Sequence, residues 1–167
     1  MSYYDPSRHH RRSIRLAGHD YSSDCLYFVT FICQDRVDYF GHIHNKKMIL
    51  NDAGKLLDRE WLALPQRFPT AILHEYQIMP NHFHCILEIK NVYRDGQAVD
   101  PKSLGDIIGA LQSIVTVEYI KGVKNENWPP FRKRLFQRNY YETIIRNREA
   151  YEAIKRYIIQ NPKNPYR

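Results

Sequence analysis

The stretch AILHEYQIMPNHFHCILEI, residues 71–89, decides the fold. Residues 71–78 and 82–89 are two strand-like runs, and the Met79-Pro80-Asn81 between them has the length and chemistry of a hairpin loop. In the second run Phe83, Cys85, Leu87 and Ile89 form an unbroken apolar row, so the core claims that side of the strand. His82 and His84 stand at i and i+2 and therefore share the opposite face. Two imidazoles converging on one point suit a metal pair, because neutral imidazole is the commonest metal ligand. The same pattern also suits ordinary strand histidines satisfied by hydrogen bonds.

Working outward, LYFVTFIC (26–33) is apolar on both alternating faces and reads as a central strand covered on both sides. Asn51 and Asp52 can cap a helix in which Ala53, Leu57, Trp61 and Leu64 recur at helical spacing until Pro65 stops it. Residues 91–101 form a polar loop. Leu104, Ile107, Ile108, Leu111, Val115 and Ile120 mark a second helix, interrupted by the segment 122–130. Residues 134–145 hold a strand-compatible aromatic segment, LFQRNYYETII, and Asn147 can cap a last helix running to Asn161, before Pro162. The order β-α-β-β-α-β-α, with an internal hairpin, predicts an α+β fold. Its expected form is a ferredoxin-like split βαβ sandwich, an antiparallel sheet covered by helices.

On the last helix Ala153, Tyr157 and Asn161 lie at i, i+4 and i+8 on one side, while Tyr151, Ile154 and Ile158 mark another stripe. Tyr157 and Asn161 can face one site together. Taken alone, Tyr157 reads equally as a boundary tyrosine with a wet hydroxyl, and Asn161 as a helix C-cap.

The chain has 167 residues, of which 43% are hydrophobic and 26% charged. Those values exclude wholesale disorder and a coiled-coil rod and fit one domain over residues 1–167. No run approaches the roughly 18 apolar residues needed to cross a bilayer. The start of the chain is arginine-rich and lacks an apolar signal region, so a cytoplasmic, nucleoid-associated protein is expected. Cys25, Cys33 and Cys85 lie in or beside apolar runs, which suits reduced core thiols, and no CxxC provides a thiolate zinc knuckle. The formal net charge is +7. It is concentrated at the ends: residues 121–167 carry twelve Lys or Arg against four Asp or Glu, whereas residues 21–120 carry nine against twelve. Residues 1–22 form a basic arm with Arg8, Arg11, Arg12 and Arg15. Such ends suit either a solubilising role or a surface that attracts nucleic acid phosphates.

Four blocks in order carry a resemblance that spans nearly the whole chain. MPNHFHCIL (79–87), preceded by RRSIRL (11–16) and DYS (20–22) and followed by FQRNYYETIIRN (136–147) and YIIQNP (157–162), resembles the bacterial REP-associated tyrosine transposases. These are relatives of the insertion-sequence single-tyrosine transposases in the HUH endonuclease superfamily. The resemblance implies a histidine pair at His82 and His84, a hydrophobic middle residue at Phe83, a nucleophile at Tyr157 and a third metal ligand at Asn161. The insertion-sequence branch usually carries Gln at that last place, so Asn161 follows the repeat-associated branch. Tyr140, Tyr141 and Tyr151 are competing candidates for the nucleophile.

The implied activity is a metal-dependent single-strand DNA endonuclease and strand transferase acting at palindromic hairpins, using Mg²⁺ or Mn²⁺ and no nucleotide cofactor. A phosphodiester needs its charge neutralised and a nucleophile aligned opposite the departing 3′ oxygen. The implied product is a 5′-phosphotyrosine and a free 3′-hydroxyl. Hairpin or single-stranded DNA is the expected partner, the assembly a monomer or homodimer, and no membrane is involved. Arg8, Arg11, Arg12 and Arg15 are candidate readers of the hairpin stem, and Lys133, Arg134 and Arg138 a second phosphate-contacting group. Tyr140 and Tyr141 are candidate base-stacking residues, with packing under the last helix as their other role. Two rivals remain: a catalytically silent nucleic-acid-binding domain of the same fold, and a zinc hydrolase in which Tyr157 is incidental.

Overall fold

The computed structural model describes residues 15–164. Its centre is β1 (Cys25–Ile32), in which Tyr27, Val29 and Phe31 point into one layer and Leu26, Phe28 and Thr30 into the other. A hairpin of β2 (Gly41–His44) and β3 (Lys47–Leu50) follows, then α1 (Asp52–Leu62) and a single turn, α2 (Leu64–Arg67). Asn51 caps α1 by accepting a hydrogen bond from the Gly54 N–H. β4 (Ala71–Met79) and β5 (His82–Ile89) form the hairpin read in the sequence, with a register shift between Leu73 and Tyr76 on β4. A two-residue ribbon, β6 (Tyr93–Arg94) and β7 (Gln97–Ala98), interrupts the polar loop before α3 (Leu104–Asn125). β8 (Tyr141–Ile145) and α4 (Arg148–Gln160) complete the order, and Asn147 caps α4 by accepting from the Ala150 N–H.

The sheet order is β4-β5-β1-β8. Every neighbouring pair is antiparallel. β1, α1 and β4 therefore make a βαβ unit with β5 slotted between its two strands, which is the split βαβ arrangement the sequence predicts. One face of the sheet packs on α1 and α3: Leu57 and Trp61 from the first and Ile107, Ile108, Leu111 and Val115 from the second close over Phe83, Cys85, Leu87 and Ile89. Among the described residues the helix on the other face is α4, held by Ile86, Ile145 and Ile158 with Leu26, Phe28, Tyr151 and Ile154 around them. The stripe Tyr151, Ile154, Ile158 is thus the buried one, and Tyr157 beside it stays 44% exposed.

Three boundaries differ from the sequence reading. Gly122 does not interrupt α3, which runs on to Asn125. The glycine is there for Trp128, whose ring folds back so closely that a Cβ at 122 would lie 2.3 Å from it. Pro65 does not end helical structure outright, because it occupies the first turn of α2, where a missing N–H costs nothing. Finally, only the second half of the 134–145 segment is strand, the first half touching the sheet through a single bridge between Cys33 and Phe136. All three cysteines are free thiols. No helix among the described residues is long and apolar enough to cross a membrane.

Candidate active site

The alternation of β5 puts His82 and His84 on the α4 face, with ring centroids 4.7 Å apart. Their neighbours follow from register. Ile32 and Met79 flank His82, and Thr30 and Gln77 flank His84. The Thr30 hydroxyl is hydrogen-bonded to His84 Nδ1 at 2.7 Å. On the other ring, His82 Nδ1 is 2.8 Å from the Oδ1 of Asn81. The Asn81 amide NH₂ is already committed, donating to Asp38 Oδ1 at 2.8 Å and to the Arg36 carbonyl at 3.2 Å. Its oxygen must therefore face the imidazole, so Nδ1 of His82 carries the proton and the lone pair lies on Nε2. Both rings thus have Nδ1 engaged by an oxygen, the support usually found behind a metal-ligating histidine.

Burial also keeps the pair neutral. His84 is 6% exposed, and the loss of water holds its pKa down at about 3, with the adjacent His82 ring adding to the effect. His82 is lowered too, first by burial and then by the Arg36 charge, against opposing pulls from the Asn161 side chain and Asp38. Neither ring is charged at neutral pH.

α4 delivers the remaining groups. The Tyr157 ring stands edge-on to His84 at 5.3 Å and edge-on to Phe28 at 6.0 Å, and Phe28 is stacked on His84 at 5.6 Å. Among the described residues the rings that touch His84 are those of His82, Phe28 and Tyr157. Tyr151 is hydrogen-bonded instead to His74, Tyr140 is buried, and Tyr141 is 56% exposed on β8. Just past Tyr157 the chain tightens into a 3₁₀ turn, Asn161–Lys163, that packs on β3 and β4. Asn161 is 6% exposed, and its Oδ1 is buried without a hydrogen bond of normal geometry. A buried, unsatisfied amide oxygen is costly unless something electropositive completes it. Two neutral imidazoles and such an oxygen are a mixed nitrogen and oxygen donor set that could hold a divalent cation, the nitrogens favouring Mn²⁺ over Mg²⁺. Among the described residues no three His, Cys, Asp or Glu side chains gather as they would around a metal ion.

Of the basic candidates, Arg15 pairs with Glu142 and lies over the Tyr140 ring, 3.6 Å from its centroid. Tyr21 donates to the same carboxylate at 2.8 Å, so the start of the described chain is fastened to β8. Lys133, Arg134 and Arg138 lie in the connection between α3 and β8, Lys133 and Arg138 exposed and Arg134 half-buried. Arg8, Arg11 and Arg12 lie outside the described residues.

No protein-family model matches the chain. It is 35% identical over 175 aligned positions to an uncharacterized protein of Haemophilus influenzae, an alignment covering 95% of this chain and 92% of that one, and the two belong to one family. Among solved structures it resembles the REP-associated tyrosine transposase bound to a REP hairpin, with a TM-score of 0.60 and 17% identity over 99% of this chain and 75% of that chain. The chain shares the fold of that REP-associated tyrosine transposase. The structure brings the two histidines, the tyrosine and the asparagine singled out in the sequence to one face of the sheet. Sequence reasoning missed Thr30, Phe28 and Asn81. Only strand register reveals the first two, whereas Asn81, next to the histidine pair in a Pro-Asn turn, was within reach.

Proposed function

We propose that the chain is a metal-dependent single-strand DNA endonuclease and strand transferase that cuts at palindromic hairpins through a 5′-phosphotyrosine on Tyr157. One observation carries the reading: an exposed phenol stands against a buried, neutral imidazole pair, beside a buried amide oxygen that lacks a hydrogen bond of normal geometry. His82, His84 and Asn161 would hold Mg²⁺ or Mn²⁺, which supplies charge neutralisation at the phosphate and lowers the cost of the departing alkoxide. The chain's own groups do the rest. Phe28 and His84 fix the Tyr157 ring from two sides, leaving its hydroxyl to meet a phosphodiester laid across the site. The phenol oxygen bonds to phosphorus, the bond from phosphorus to the 3′ oxygen breaks, the phenolic proton passes to solvent, and the 3′ oxygen takes up a proton. The phosphodiester energy is kept in the tyrosyl ester, so joining to another 3′-hydroxyl needs no nucleotide. The basic stretch from 121 to 167 supplies the attraction for DNA.

Incubating the protein with labelled hairpin DNA and Mn²⁺ on a denaturing gel tests this. A labelled protein band from the wild type and none from Tyr157→Phe supports the nuclease. Hairpin binding with no band under any substrate supports the silent binding domain, and equal bands move the nucleophile elsewhere.

A further inference from the structure

A groove of about 350 Å³ runs between α3 and the segment 134–138, on the sheet face opposite the histidines. Its apolar floor includes Val117, which is 51% exposed, and Phe136. Gln112 lines it from α3, and its Nε2 is buried with no hydrogen-bond partner. Arg134 and Arg138 line the opposite side, and among the described residues neither side chain forms an ion pair or hydrogen bond. An apolar floor, one unsatisfied donor and two unpaired guanidiniums suit an unpaired nucleotide, with its base face on the floor, a base acceptor on Gln112 and its phosphates on the arginines.

The groove also lies close along the chain to the histidines. The Gln137 N–H donates to the Ile32 carbonyl at 2.9 Å, and Ile32 is the residue directly across from His82. A strand leaving the imidazole pair over the end of β1 and β5 meets this groove next.

We propose that this groove is a second DNA site that holds one unpaired nucleotide of the strand and reads its base through Gln112. The inference rests on the single-strand DNA reading above and adds a subsite to it. Fluorescence anisotropy with a labelled oligothymidylate and with the same length of abasic sugar-phosphate chain tests it. Wild type should prefer the oligothymidylate by about tenfold. Gln112→Leu, which keeps the side-chain volume, should shrink that preference to about threefold or less. Arg138→Ala should weaken both ligands alike and flatten the plot of log affinity against log salt by about 0.7. An unchanged preference in Gln112→Leu, or none in the wild type, overturns the subsite. If the wild type binds a DNA hairpin but neither single strand, the subsite falls and the wider reading stands. If it binds no DNA, both fall.

Discussion

Ile158 is the residue on which α4, and with it Tyr157, is moored. It is fully buried between Ile86 and Ile145, and the cluster they form is separated by the sheet from the larger core. Ile158→Ala removes three carbons, worth about 2.4 kcal/mol in transfer alone, and the cavity left behind brings the cost to about 2–5 kcal/mol. The other ties of α4 are weak by comparison. The Tyr151–His74 hydrogen bond is worth about 1 kcal/mol, and the Lys155–Glu75 pair, 3.6 Å apart and well exposed on both sides, contributes less. A loss near 3 kcal/mol therefore falls on α4 locally. Hydrogen exchange read by mass spectrometry should show protection in 148–160 falling by about two decades while β1 and β5 keep theirs. DNA nicking should fall with it. If β1, β5 and α4 all lose protection by the same factor, the helix belongs to the global folding unit and the local mooring argument is wrong.

Three further outcomes follow from the geometry. Because burial lowers the His84 pKa to about 3, the unfolded chain binds a proton there that the folded chain refuses; stability is full above about pH 6.5 and is lost as pH falls, at about 1.4 kcal/mol per pH unit below pH 6. Urea titrations between pH 6.5 and 4 should show that slope reduced in His84→Gln, and an identical slope would remove the buried-imidazole account. Asn81→Ala should cut Mn²⁺ affinity by about 10- to 100-fold in calorimetry, by freeing the His82 tautomer, while thermal stability changes little. Gly122→Ala drives a methyl into the Trp128 ring and should cost about 1–3 kcal/mol, seen as a melting temperature several degrees lower. An unchanged melting temperature would show that the 122–130 connection yields freely.

Much of this was legible because the hydrophobic pattern is clean where the sheet is two-sided. Residues 26–33 announced a covered central strand, and the row Phe83, Cys85, Leu87, Ile89 fixed which face the histidines occupy. The β2–β3 hairpin was not legible, because its strands are only four residues long and half-exposed. Its turn also puts Asn45 and Lys46 at positive φ, a conformation for which Lys gives no cue. Asp95-Gly96 did carry that cue for the β6–β7 ribbon, but with two residues a side there was no alternation to read. In the candidate site, the residue types and their spacing are local and show in the sequence. What orients them is not: Thr30 reaches His84 from a residue 54 positions away, and Phe28 meets Tyr157 only through packing.

The fastening of Asn81 to Asp38 and the Arg36 carbonyl makes the short connection after β1 a keeper of the chemistry. Arg36 and its neighbour Asp35 both adopt positive φ, so that connection holds a bent shape that few sequences would tolerate. The imidazole's proton is assigned from there, one amide away from the outer surface of the protein. Substitutions at 35–38 should therefore disturb His82, even though none of those side chains touches its ring.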